Sequence, residues 1–191
     1  MNKNYPIDYI TYYKNDNKLP KEVPLSMKQT KKLGFHILKL TPDSYKVPSE
    51  IKAYHAGFKH MRDITMPKIM KLYNSNPQLK GFFIAEGDVW IYDDFDFKKF
   101  ISMNFKKPTW IGYKKKLSNY IVGNFLLYFP RSSIIELNNR FIKQKRLVYS
   151  DRFFTNLYYD GFIDLLDIPK TTEIEHYSNV LKGIRKSNIQ K

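Results

Sequence analysis

The sequence predicts an α/β fold: one domain with a partly parallel central sheet flanked by helices. Three observations carry this. Short β-branched and aromatic runs alternate with stretches whose apolar residues recur at helical spacing. The chain opens in the order strand, helix, strand, which is the βαβ arrangement of a parallel sheet. The 191 residues are 42% hydrophobic and 16% aromatic, enough for a real core and too apolar for global disorder.

Residues 6–13, bounded by Pro6 and a Lys-Asn-Asp-Asn loop, read as the first strand. Residues 25–33 read as a short helix with Gly34 as its stop, and 35–40 as the second strand. Residues 51–73 carry Tyr54, Phe58, Met61, Ile64, Ile69, Met70 and Tyr73 at helical spacing, and Pro67 should kink or divide that helix. After a turn at 74–77 comes an apolar strand from Gly81 to Ala85. A short helix is expected within 93–103, a strand at 108–113 and a basic loop at 114–116. Residues 119–129 read as a strand broken by Gly123-Asn124. Ser132-Ser133 should cap a helix over 134–145, and Ser150 a helix over 151–159 that Gly161 ends. Residues 164–169 are extended, 173–178 are a last strand or its exit loop, and 182–191 are a frayed basic tail. The whole, 1–191, is read as a single domain.

The formal net charge is +15, spread along the chain. Such a balance suits a polyanionic partner such as nucleic acid or nucleotide phosphates; a solubilising lysine surface explains it equally well. Cysteine is absent, which excludes disulfides, thiolate metal sites and a Cys nucleophile. No apolar signal core opens the chain and no run approaches a membrane span, so a cytoplasmic protein is expected.

The chemistry centres on Glu86-Gly87-Asp88, at the end of the strand Phe82-Phe83-Ile84-Ala85. A carboxylate at the end of a buried strand costs several kcal/mol unless it is paired or binds a metal. Acid-x-acid puts two carboxylates on one side of an extended chain, a compact site for Mg²⁺ or Mn²⁺ whose other ligands are water and phosphate oxygens. A surface turn with two solvated acids is the plain alternative. Asp93, Asp94 and Asp96 either join the metal or start the next helix. Ligands on parallel sheets sit at the carboxyl ends of the strands, where Asn15, Glu86 and Asp88 fall.

Residues Tyr54 to Met61, followed by Phe83-Ile84-Ala85-Glu86-Gly87-Asp88-Val89, resemble the family 25 glycosyltransferases, the lipopolysaccharide and collagen galactosyltransferase type. The order of later segments is similar too: 108–113, the passage 123–137, and Tyr149-Ser150-Asp151-Arg152-Phe153-Phe154. The resemblance covers roughly residues 50–180. It departs where the family has Ser before His60 and a middle acid at Gly87; here those are Lys59 and Gly87. It implies the Rossmann-like GT-A fold and transfer of a sugar from a nucleotide diphosphate sugar, a UDP-sugar, to an acceptor hydroxyl. It further implies Mn²⁺ or Mg²⁺ held by Glu86, Asp88 and His176, a base at Asp151, and donor contacts from Tyr13, Lys14, Asn15, Arg62, Glu86 and Gly87. Each has a plainer reading: Asp151 as a helix first-turn acid, Lys14 as a solvated lysine, His176 as a surface or core residue, and His60 and Arg62 as structural. The basic runs 114–116 and 143–146 are either solvated faces or a track for a phosphate backbone.

The charge favours a nucleic-acid acceptor, such as a hydroxylated base of viral or phage DNA flipped from the stack; the family analogy favours a glycan or protein. A non-catalytic nucleic-acid-binding protein and a metal-dependent nuclease are the rival classes.

Overall fold

The computed structural model describes residues 2–10, 22–38, 53–86, 89–91, 97–112, 115–117, 120–122, 126–167 and 174–176. Ten strands are β1 Asn2–Ile10, β2 Phe35–Leu38, β3 Gly81–Glu86, β4 Val89–Ile91, β5 Thr109–Gly112, β6 Lys115–Leu117, β7 Tyr120–Val122, β8 Leu126–Pro130, β9 Asp164–Asp167 and β10 Ile174–His176 among the described residues. The helices are α1 Glu22–Lys32, α2 Ala53–His60, α3 Met66–Ser75, α4 Phe97–Ser102, α5 Ile134–Lys143 and α6 Ser150–Tyr159.

Six strands form the central sheet in the order β2-β1-β3-β8-β5-β9. β1 runs parallel to β2 and β3, and β5 parallel to β9; β8 alone is antiparallel to its neighbours β3 and β5. The expected mixed, mostly parallel sheet is therefore present. β3 lies inside it and reads as a continuous apolar run because both faces are covered. Phe82 and Ile84 join Trp110, Leu127 and Phe129 in one core layer, under α2, α3, α5 and α6. Phe83 and Ala85 join Ile111, Leu126 and Tyr128 in the other, with Phe35 and Phe100. That alternation is the period-2 rule of an extended chain.

Close approach dictates a glycine at the start of β3. A Cβ on Gly81 would lie 2.6 Å from the Phe129 carbonyl oxygen and 2.7 Å from the Tyr128 ring. Arg131 fixes the same corner. Its guanidinium donates to the carbonyls of Tyr73 at 2.9 Å and Asn76 at 2.8 Å, and lies 4.1 Å from the Tyr73 ring centre. It thereby satisfies carbonyls that the end of α3 leaves without helical partners.

Several local expectations are corrected. The helix expected at 51–73 is split, but ahead of Pro67: Met61–Thr65 form a π-helical stretch, and Pro67 falls in the first turn of α3. The Met66 N–H bonds back to the Met61 carbonyl, so the wider π turn lies directly ahead of the proline, whose ring would clash with a regular preceding turn. Ser133 stands at the N-cap position of α5 as expected, but its side chain makes no cap hydrogen bond: Arg131–Ser133 make a 3₁₀ turn and the Ser133 hydroxyl donates to the Pro130 carbonyl at 2.8 Å. Ser150 is the first residue of α6, with Tyr149 at the cap position. Lys115 and Lys116, part of the loop expected at 114–116, instead pair with Leu117 antiparallel to Tyr120–Val122 as a hairpin. Tyr120–Val122 and Leu126–Pro130, expected as one strand broken at Gly123-Asn124, are strands of two different sheets.

His60 is fully buried on the helix over β3. Burial, with a smaller contribution from the Lys68 charge, lowers its pKa from 6.5 to about 4. An unfolded chain takes up that proton near 6.5 and the folded one resists it, so stability is intact above that value and is lost as pH falls toward 4. Urea unfolding should show about 2 kcal/mol less stability at about pH 5 than at about pH 7 from this group. His60→Leu should remove that part of the slope; an unchanged slope would assign it to other residues.

Candidate active site

The site is built on the carboxyl edge of the parallel strands. Glu86, the last residue of β3, pairs with Ile10, the last residue of β1. β2 ends beside Asp8 of β1, and Gly112 and Asp167 end β5 and β9 together. Tyr13, Lys14 and Asn15 follow β1 and lie outside the described residues, as do Gly87, Asp88, Asp93, Asp94 and Asp96. The backbone of Glu86 and of His176 is described, and their side chains are not.

A two-stranded ribbon leaves from this edge. β4 resumes directly after Gly87-Asp88 and pairs antiparallel with β10, in the register Val89 with His176, Trp90 with Glu175 and Ile91 with Ile174. Residue 176 therefore stands across from the neighbour of Asp88, about 5 Å away at the Cα level. Of the two readings for 173–178, the strand holds for Ile174–His176. Ile91 is buried against Phe35 and Phe83, and its carbonyl accepts a hydrogen bond from the Gln29 amide at 3.1 Å. The ribbon is thus anchored to α1 and to the core.

Asp151 reaches the same edge from another direction. β9 starts beside Thr109 at the opposite, amino edge of β5, and the chain reaches it from the end of α6 through Gly161. α6 must therefore run back across the sheet, with its first turn at the carboxyl edge. Its ten residues span about 15 Å, comparable to a strand of the sheet. Phe153, Phe154 and Leu157 bury its inner face in the core, while Asp151 in its first turn is half-buried. α2 lies alongside: the His55 ring meets Tyr149 edge-to-face, centres 5.8 Å apart. This His55–Tyr149 pair was not singled out from the sequence. An aromatic just ahead of a helix start carries no local signal of which helix it will touch.

Arg62 has partners within the fold. It donates to both Asp63 carboxylate oxygens, at 2.7 and 3.4 Å, and to the Gln144 and Lys145 carbonyls at 3.4 and 3.5 Å. Burial pushes Asp63 up, but hydrogen bonds from Arg62 and Lys59 outweigh it, and its pKa lies below the ordinary value. Arg62 thereby ties the π-helical stretch to the segment after α5. Among the described residues no group of three or more His, Cys, Asp or Glu stands ready for a metal. No helix among them is long and apolar enough to cross a membrane.

No family model and no curated protein match this chain. Its fold is similar to that of a solved glycosyltransferase involved in the glycosylation of the major capsid of PBCV-1. The TM-score is 0.53 at 10% identity, over 85% of this chain and 82% of that one. A looser overlap, TM-score 0.48 at 10% identity, is with 4-diphosphocytidyl-2C-methyl-D-erythritol synthase from Anaerococcus prevotii, over 86% of this chain and 87% of that one. The shared architecture is a mixed central sheet flanked by helices, of the GT-A or Rossmann-like kind.

Proposed function

We propose that this protein is a glycosyltransferase that moves a sugar from a nucleotide diphosphate sugar, a UDP-sugar, to an acceptor hydroxyl. The observation that carries the reading is the convergence at one sheet edge. β3 delivers Glu86 beside the end of β1, and the β4–β10 register sets His176 across from the neighbour of Asp88. The fold likeness to a capsid-modifying glycosyltransferase supports it.

Glu86, Asp88 and His176 are the residues that would hold Mn²⁺ or Mg²⁺, two carboxylates and an imidazole being a suitable donor set. When bound, the cation supplies charge to the departing diphosphate. Tyr13, Lys14 and Asn15, which follow β1 in the chain, would contact the nucleotide base and ribose, and Glu86 and Gly87 the diphosphate. Asp151 accepts the proton of the acceptor hydroxyl if the anomeric centre inverts. Arg62, assigned to the donor from the resemblance, serves here by fixing the segment that leads to Asp151.

Transferases commonly leak hydrolysis of their donor, so the test needs no acceptor. Incubated with a panel of nucleotide sugars and Mn²⁺, the protein should release UDP slowly, and a chelator should stop it. No release from any donor would overturn the reading. Cleavage of nucleic acid in the same buffer would point to a nuclease instead.

A further inference from the structure

We propose that the acceptor is a single-stranded nucleic acid, held by the segment from Lys143 to Arg152 with Tyr149 as the platform on which a base stacks. The proposal rests on reading Asp151 as the group beside the acceptor hydroxyl.

Four observations meet in this segment. Lys143, Lys145, Arg146 and Arg152 are all exposed, and none makes an ion pair among the described residues. Asp151 is the segment's one acid. Lys143 closes α5, where the helix dipole welcomes a cation, but Arg152 stands in the first turn of α6, where the dipole opposes one. An exposed cation in an unfavourable place, with no described acid paired to it, is better explained by an anion from outside. Tyr149 is 44% exposed in the midst of these cations, and its ring is braced edge-on by His55.

The backbone beneath is fixed. Arg62 holds the Gln144 and Lys145 carbonyls, Gln144 donates to the Arg146 carbonyl at 2.9 Å, and Leu147 and Val148 pack on the core. A rigid aromatic between exposed cations is the device by which proteins bind unstacked bases along a charged strand. A duplex would hide its base faces, so the aromatic favours a single strand. The net charge of +15 gives long-range attraction to the same polymer. Transfer then joins the sugar's anomeric carbon to the acceptor oxygen. The bond to the diphosphate breaks with its electron pair on the leaving nucleotide, and the hydroxyl proton passes to Asp151.

Fluorescence anisotropy with a labelled single-stranded oligonucleotide of about 12 nucleotides tests this without any transfer reaction. Wild type should bind, with affinity falling steeply as salt rises. Tyr149→Ala should weaken binding on the order of tenfold with the salt slope unchanged. Arg146→Ala with Arg152→Ala should flatten the slope by about 1.4, near 0.7 for each phosphate no longer neutralised. Circular dichroism should show each variant folded; if Tyr149→Ala unfolds, Tyr149→Phe should keep the affinity. No binding at low salt, or equal binding by wild type and Tyr149→Ala, overturns the proposal. Heparin bound as tightly as the oligonucleotide, with no dependence on Tyr149, overturns it in favour of an anionic glycan. The outcome is separable from the donor assay. UDP release without oligonucleotide binding removes only this proposal, and binding without UDP release removes the transferase.

Discussion

Asp88→Ala should lower Mn²⁺-dependent UDP release by about a hundredfold or more, with Glu86→Ala close to it. A metal that neutralises a departing diphosphate is worth several kcal/mol of barrier, and each 1.4 kcal/mol is about tenfold in rate. Glu86 ends β3 beside Ile10, and two acids that share one metal would act as a unit, so the double variant should be little worse than either single one. The second readout is thermal. Mn²⁺ at about a hundred times its Kd should stabilise wild type by about 2.7 kcal/mol, and neither variant should respond. His176→Ala should keep part of both effects, since carboxylates remain. If Asp88→Ala retains full UDP release, the acid pair is a solvated turn.

Phe141→Ala should cost about 3–5 kcal/mol, the range for emptying a buried aromatic site. Phe141 is fully buried in α5. Its ring centre lies 4.5 Å from Phe153, 5.5 Å from Phe58 and 6.3 Å from Phe154. That one side chain therefore joins α5 to α2 and α6, the helices that carry His55 and Asp151. A cavity there cannot collapse cheaply, because its lining is three rings set by the sheet beneath. The melting temperature should fall by about 10 °C, at roughly 2–4 °C per kcal/mol for a chain of this size. UDP release, measured well below melting, should fall less than with Asp88→Ala. Phe141→Leu, nearer in volume, should lose less than half as much stability. A loss under about 1 kcal/mol for Phe141→Ala would mean that the three helices are packed otherwise.

The elements with strong local patterns were legible. β3 announces itself as Phe82-Phe83-Ile84-Ala85, a run too apolar for any but a doubly covered strand. α5 announces itself through Ile134, Ile135, Leu137 and Phe141; Ile134, Leu137 and Phe141 are buried on one helical face, and Ile135 is exposed. The first βαβ unit predicted parallel neighbours, and β1 pairs parallel with both β2 and β3. Less was legible where a polar surface hid the pattern. Lys115-Lys116 looked like a loop because charged residues have little strand preference, but the hairpin partner Tyr120–Val122 supplies the hydrogen bonds.

By itself, then, the sequence determined the fold class, the buried strand and the acidic stretch at its end, because those depend on composition and on periods of two and 3.6 residues. Only the tertiary structure decided that β8 runs antiparallel between β3 and β5, that Arg131 closes α3, and that His55 meets Tyr149. It alone set His176 opposite Val89, the residue that follows Asp88 in the chain. Strand pairing and helix contact are chosen by partners distant in the chain. Their free energy lies in the burial and hydrogen bonding of the assembled layers, and no window of neighbouring residues contains it.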